Sequence, residues 1–280
     1  MQSMAIPTTA MLTLSTLTHA GPARRWRNEA MRSHHTARLI HVTKGQGRIT
    51  VAGLTIGYGP NNLIYIPPDT MYGLEVGPMV FGHVLSFSSS PDWPEEPFHL
   101  RLLAVDAQKE AVAHLEAIER ELLPAGDTRA AACHFGLLSI FVERQLRQRP
   151  ETETDRRQAS AAARLVARYT AMIARDFGSD RNVADYAEAL GVTTTHLTRC
   201  CRKTCDRSAL ELLNERVHYE ACLLLKETAA PVQKIAADLG FHSPAYFTRR
   251  FQELAGTTPT EFRKAERAAP PLKTGQNARV

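Results

Sequence analysis

The sequence predicts an α+β chain of two domains, a β-barrel with two helices followed by an all-α domain holding two helix-turn-helix units. Three observations carry this. Short runs rich in β-branched and aromatic residues, separated by Gly and Pro clusters, fill the first hundred positions. From about Ala159 to Lys264 the apolar spacing is helical, punctuated by Gly178, Gly191, Gly240 and Gly256. One motif also occurs twice. Ala187-Glu188-Ala189-Leu190-Gly191-Val192 precedes Leu197-Thr198-Arg199, and Ala236-Ala237-Asp238-Leu239-Gly240-Phe241 precedes Phe247-Thr248-Arg249. Each copy reads as a short helix, a glycine-opened turn and a second helix carrying outward Thr and Arg, the grammar of a unit whose second helix enters the DNA major groove.

In the N-terminal half the expected strands are Arg38 to Val42, Arg48 to Val51, Asn62 to Ile66 and Val80 to Phe87. Turn clusters separate them at Lys44-Gly45-Gln46-Gly47, Gly57-Tyr58-Gly59-Pro60 and Pro67-Pro68-Asp69, and Ser88 to Pro97 closes the β region. Short strands at such spacing suggest a small barrel or sandwich. Two helices follow. Ala111 to Leu123 aligns Val112, Leu115, Ile118 and Leu122, and Ala130 to Arg147 carries Leu137, Leu138, Ile140 and Phe141. Their apolar faces suit the barrel, each other, or a second subunit. These elements make residues 1–148 the first domain. Residues 149–158, polar and charged, read as a linker, 159–267 as the helical domain, and 268–280, with Pro270-Pro271 and Gly275, as a disordered tail.

The chain's 280 residues can bury a core in each domain, and 44% hydrophobic with 22% charged residues is ordinary for a globular protein. The net charge of +5 is unevenly placed: residues 1–159 hold 16 basic and 16 acidic side chains, residues 160–280 hold 18 and 13. The whole excess lies in the half with the repeated motif, which fits a polyanionic partner. Five cysteines without disulfide-like spacing argue for a reducing compartment. Met11 to Leu17 is threonine-broken and lacks a basic leader, and no apolar run approaches a membrane span, so the chain reads as cytoplasmic with no membrane partner.

In the first copy Val183 to Leu190 is the supporting helix, Gly191 permits the tight turn, and Leu190, Val192 and Leu197 lie beneath it. Thr194, Thr195, Thr198 and Arg199 face outward as base-reading candidates, with Arg202 and Lys203 one turn later for phosphates. In the second copy Val232 to Leu239 supports and Ser243 to Leu254 reads; Ser243-Pro244 is a helix start. Ser243, Ala245, Thr248 and Arg249 are its base-reading candidates, and Arg250 and Arg263 its phosphate candidates. Leu212 to Lys226 reads as one connecting helix that fixes the separation of the two heads. Heads about 34 Å apart would meet successive major-groove segments.

The run Gly240-Phe241-x-Ser243, Phe247-x-Arg249-x-Phe251, Gly256-x-x-Pro259-x-x-Phe262-Arg263 resembles the signature of the AraC/XylS family of bacterial transcription regulators. The resemblance covers residues 160–265 and implies two helix-turn-helix units joined by a linker helix, binding promoter DNA. Two departures fall in the first copy: Cys200-Cys201 stand where the family usually has a residue followed by Phe, and Asp206 where glycine is usual. Cys200, Cys201 and Cys205 lack Cys-x-x-Cys spacing and a matching histidine, and Cys201 aligns with Phe251, so they read as core rather than as a metal or redox cluster.

More faintly, Leu39-Ile40-His41-Val42-x-x-Gly45-x-Gly47 and Ile64-Tyr65-Ile66-Pro67-Pro68 resemble the cupin-like sensor domain of the same family. At the four positions where a metal-binding cupin has ligands, this chain reads Arg32, His34, Arg38 and Tyr72, which disfavours a divalent metal. An arginine inside a small barrel needs a partner, and a carboxylate is a suitable one. Two readings follow: Arg38, with Tyr72 and His34, binds a small organic acid, or Arg38 is satisfied by an internal Asp or Glu or faces solvent.

The resulting expectation is a dimeric, effector-responsive, sequence-specific transcription regulator, an activator that also touches RNA polymerase. It is not an enzyme, and no catalytic residue, metal or cofactor is assigned. The rival readings are a ligand-independent DNA-binding dimer and a cupin enzyme fused to a DNA-binding module.

Overall fold

The computed structural model describes residues 12–17, 19 and 26–268. Met11 and the stretch 269–280, which holds nearly all of the expected tail, lie outside the described residues.

Among the described residues eight strands precede ten helices. The strands are β1 (Thr13–Leu17), β2 (Ala37–Lys44), β3 (Gly47–Val51), β4 (Leu54–Tyr58), β5 (Asn62–Ile66), β6 (Tyr72–Glu75), β7 (Phe81–Phe87) and β8 (Phe98–Arg101). They form two antiparallel sheets, one ordered β1-β7-β2-β5-β8 and one ordered β4-β3-β6. The expected barrel is thus not closed: no strand pairing joins the two sheets among the described residues, and they pack as an open sandwich. The reason lies at the free edge, where β4 and its hairpin turn are covered by helices of the second half instead of by another strand.

Alternation along β2 assigns the layers. Ile40 and Val42 point between the sheets, meeting Ile49, Val51, Ile56 and Leu74. Leu39 points the other way, toward α1 (Val105–Glu121) and α2 (Thr128–Gln148), whose Leu115, Ile118, Leu138 and Phe141 complete that core. The larger sheet is therefore buried on both faces, which is why β5 is an unbroken apolar run after Asn62 with every residue buried.

The stretch read as a linker contains a short helix, α3 (Glu153–Gln158). Thr152 and Asp155 form a capping box there, and Arg149 holds the Asp155 carboxylate at 2.8 and 2.9 Å. Charge and capping order this stretch without apolar residues. Beyond it lie α4 (Ala161–Asp176), α5 (Val183–Ala189), α6 (Thr194–Cys205), α7 (Ala209–Glu227), α8 (Val232–Asp238), α9 (Pro244–Ala255) and α10 (Pro259–Ala268). They build two cores. The first collects Val166, Tyr169, Ile173, Leu197, Cys201 and Leu212; the second collects Cys222, Leu225, Ile235, Phe247, Phe251 and Phe262. Helix α7 supplies residues to both, so the pairs α5/α6 and α8/α9 are mounted on one rod.

The two halves are joined by packing as well as by the chain. Met31 and Met71 enter the first helical core. Thr50 on β3 accepts from Arg207 at 3.1 Å, and Thr55 on β4 accepts from Arg157 at 3.2 Å through its carbonyl. At the other end Trp26 stacks near Tyr219 and Phe262 and donates to Glu266, which also pairs with Arg27.

Candidate nucleic-acid interface and anion site

Both helix pairs are built by the same local chemistry. In the first, Asn182 caps α5, Gly191 turns with φ +70°, and Thr193 caps α6 by accepting from the His196 amide. In the second, Gly240 turns with φ +78° and Ser243 caps α9 by accepting from the Tyr246 amide. A Cβ at Gly240 would come within 2.8 Å of the Ser179 carbonyl, so close approach adds to the φ requirement. The second turn is one residue longer, with His242 inserted between glycine and cap, and from the caps onward the two helices run in register.

The base-reading candidates differ in exposure. Thr194, Thr195, Arg199, Arg202 and Lys203 are exposed on α6, with Thr198 half-buried beside them. Ser243, Ala245 and Arg249 are exposed on α9, while Thr248 is half-buried and donates its hydroxyl to the Pro244 carbonyl at 2.9 Å. Among the described residues neither Arg199 nor Arg249 has an acidic partner within 4.0 Å, and the same holds for Arg202 and Lys203. Two phosphate candidates are otherwise employed. Arg250 pairs with Glu253, and Arg263 donates to the carbonyls of Leu225 and Ala230, so it braces the end of α7 instead of reaching outward. Cys201 and Cys205 are buried, and burial pushes the Cys201 thiol up to about 12, which suits core packing.

The residues expected to bind an effector also lie near one another. Arg32 bridges to Tyr72 through backbone bonds of 2.9 and 2.8 Å, and its guanidinium lies 4.3 Å from the Tyr72 ring centre. Arg38 lies 6.0 Å from the same ring, and His34 5.8 Å from it. His34 turns inward, whereas His35 is exposed and pairs with Asp69.

Sequence reasoning missed the second half's contribution. Arg216 and Tyr219 of α7 reach the same place; Tyr219 lies 6.4 Å from His34, and Arg216 is buried over Phe177 and paired with Glu220. The available signal was positional: Leu212, Arg216 and Tyr219 share one helix stripe, and a charged residue there is out of place. Burial, then Arg38, Arg32 and Arg216, drive the His34 imidazole down to about 2, so it is neutral. Four polar atoms of this cluster are buried without a hydrogen-bond partner: His34 Nε2, Arg38 Nε, the Tyr72 hydroxyl and Arg216 Nε. A cleft of about 400 Å³, lined by Trp26, Arg27, Lys226 and Glu227 among others, reaches this cluster at His34 and Tyr219. A divalent cation does not fit this donor set, because the acceptors it needs are replaced by guanidinium groups. An anion does.

Residues 186–265 match the family described as Helix-turn-helix domain. The matched residues run from within α5 into α10. The chain is similar to the arabinose operon regulatory protein of Escherichia coli (strain K12), 28% identical over 85 residues that cover 30% of this chain and 29% of that protein. The same protein from Salmonella typhimurium is 28% identical over 82 residues, 29% of each chain. The match thus spans under a third of the length of these relatives. Among solved structures, the C-terminal domain of AraT from Geobacillus stearothermophilus is 24% identical, covers 41% of this chain and 95% of its own, and has a TM-score of 0.37. ToxT from Vibrio cholerae O395 is 11% identical over 93% of this chain and 99% of its own, with a TM-score of 0.43. Among the described residues no helix is long and apolar enough to cross a membrane.

Proposed function

We propose that this chain is a sequence-specific transcription regulator with two helix-turn-helix heads, acting at promoter DNA under control of a small anionic effector. One observation carries the DNA reading: α6 and α9 present Thr and Arg from equivalent positions on exposed faces, with neither arginine held by an acid. An arginine in that state can pair bidentately with guanine, and threonine can contact thymine methyl groups. Mounting both heads on α7 supports a fixed spacing along one face of the duplex.

Selection from a random duplex library with the full chain, followed by footprinting, tests this. The expected product is a site with two protected segments about one helical turn apart. Failure to enrich any sequence at low salt would overturn it.

The effector reading is supported by the Arg32, Arg38 and Arg216 cluster with its unpartnered polar atoms, which suits a carboxylate. Because Arg216 belongs to α7, such a ligand would touch the rod that carries both heads and bias their docking against the sheets. Titration calorimetry with aliphatic and aromatic carboxylic acids should show binding by the wild type that Arg38→Ala and Arg216→Ala each weaken at least tenfold. Equal binding by all three proteins would end this reading. Activation through RNA polymerase contact is the expected outcome at a promoter, checked by reporter transcription with and without the bound acid.

A further inference from the structure

The reading arginines are not free rods: each lies against an aromatic ring three residues before it. In α6, Arg199 Nη2 donates to His196 Nδ1 at 3.0 Å. In α9, the Arg249 guanidinium lies 5.6 Å from the centre of the Tyr246 ring. His196 and Tyr246 occupy equivalent positions of the repeat, as Arg199 and Arg249 do. Each ring is in turn backed from behind. His196 Nε2 meets the sulfur of buried Cys200 at 3.6 Å, and accepting at Nδ1 requires the tautomer with its proton on Nε2. Tyr246 lies 6.0 Å from Phe241, which packs edge-on against buried Phe247 at 5.2 Å. Tyr246 is nonetheless 48% exposed, a large ring left on the reading face. A hydrophobic core does not explain that placement.

We propose that His196 and Tyr246 are positioning residues that hold Arg199 and Arg249 in the reading conformation before DNA arrives. The proposal rests on the DNA-reading assignment above and adds to it the residues that set its specificity. An arginine side chain loses much rotamer freedom when it forms a bidentate contact with guanine. A ring at three residues' distance on the same helix face removes part of that loss in advance. The benefit falls only on the base that the arginine reads. Binding to phosphates, which Arg202 and Lys203 serve, is untouched.

The two heads use different chemistry for one purpose. Tyr246 offers a π-face, so its hydroxyl is dispensable. His196 offers an acceptor nitrogen, so a residue with an acceptor at the same reach can replace it.

The experiment compares Tyr246→Phe, Tyr246→Leu, His196→Gln, His196→Ala and Arg249→Ala in the full chain. Each is measured on the selected site, on that site with single base-pair changes, and on unrelated duplex DNA. Tyr246→Leu should lose about two- to fivefold of the preference at one base pair while affinity for unrelated DNA stays at the wild-type value. Tyr246→Phe should behave as wild type, and His196→Gln should retain more preference than His196→Ala. A readout without DNA accompanies these: ring-current shifts of the Arg249 side-chain protons in Tyr246→Phe, absent in Tyr246→Leu. Full preference in Tyr246→Leu, or equal weakening on every DNA, overturns the positioning role even if Arg249→Ala abolishes the preference. An Arg249→Ala protein with unchanged base preference sinks the DNA-reading assignment itself, and the positioning role with it.

Discussion

Asp206 and Gly256 stand at the ends of α6 and α9, fifty residues apart, and both adopt left-handed backbone, with φ of 57° and 72°. The absent glycine in the first copy therefore did not change the geometry of the cap. Aspartate tolerates that region better than most residues, at a modest cost. Nothing lies within 4 Å of a Cβ built on Gly256, so a substitution there reports backbone conformation alone. Gly256→Ala should lower stability by about 1 kcal/mol, read from the urea midpoint at unchanged slope. A second residue-scale expectation concerns Lys203, exposed and without an acidic partner. Lys203→Ala should weaken all duplexes alike and reduce the slope of log K against log salt by about 0.9, whereas Arg249→Ala should relax a single base pair. The reverse pattern would exchange their roles.

Among elements, the helices were the most legible. The boundaries expected for α5, α7, α8 and α9 are met within three residues because glycines, Ser243-Pro244 and an apolar stripe all point the same way. Strands fared less well. β2, β3, β5 and β7 are runs of β-branched and aromatic residues and stand out, but β4 carries Gly57 and ends inside an expected turn, while β6 and β8 are only four residues long. Convergence of Arg32, His34, Arg38 and Tyr72 followed from aligned landmarks; Arg216 did not, because no local pattern tells which foreign element a helix stripe will meet. The β3–β4 hairpin shows what such non-local contact demands. Its two turn residues, Ala52 and Gly53, both have positive φ, the requirement of a tight primed turn. A Cβ on Gly53 would come within 2.3 Å of Val166 Cγ1 on α4. Gly53→Ala should then destabilise by about 2 kcal/mol through strain and overpacking at this junction. Gly57→Ala, with only a carbonyl at 3.9 Å, is the control expected to change little, and equal effects would mean that the hairpin tip does not dock as described.

For the whole molecule, four histidines, His41 buried and the other three half-buried, link stability to pH. Burial is the largest cause for each, holding His41, His99 and His218 at about 4 and His34, with help from its arginines, at about 2. Each lies below its unfolded value of 6.5, so between the two values the unfolded chain binds more protons than the folded one. Stability from these groups is complete above pH 6.5 and is lost as pH falls toward 4, above the range where most carboxylates titrate. The histidines are spread over both halves: His41 and His99 sit in the larger sheet, His34 beside Tyr72 and His218 on α7 against Phe251. Because the hairpin, Met31 and Met71 knit the halves together, acid should unfold the chain in one transition and not as a sheet domain and a helical domain in turn. The urea midpoint is expected to fall steadily from pH 7 to pH 5. His218→Leu, which keeps the apolar contact and removes one titrating group, should make that fall shallower. An unchanged slope would show that His218 takes up its proton equally in the folded and unfolded chains. Two separate transitions would mean that the sheets and α7 part before either melts, and a ligand touching Arg38 and Arg216 together would then have no fixed site to bind.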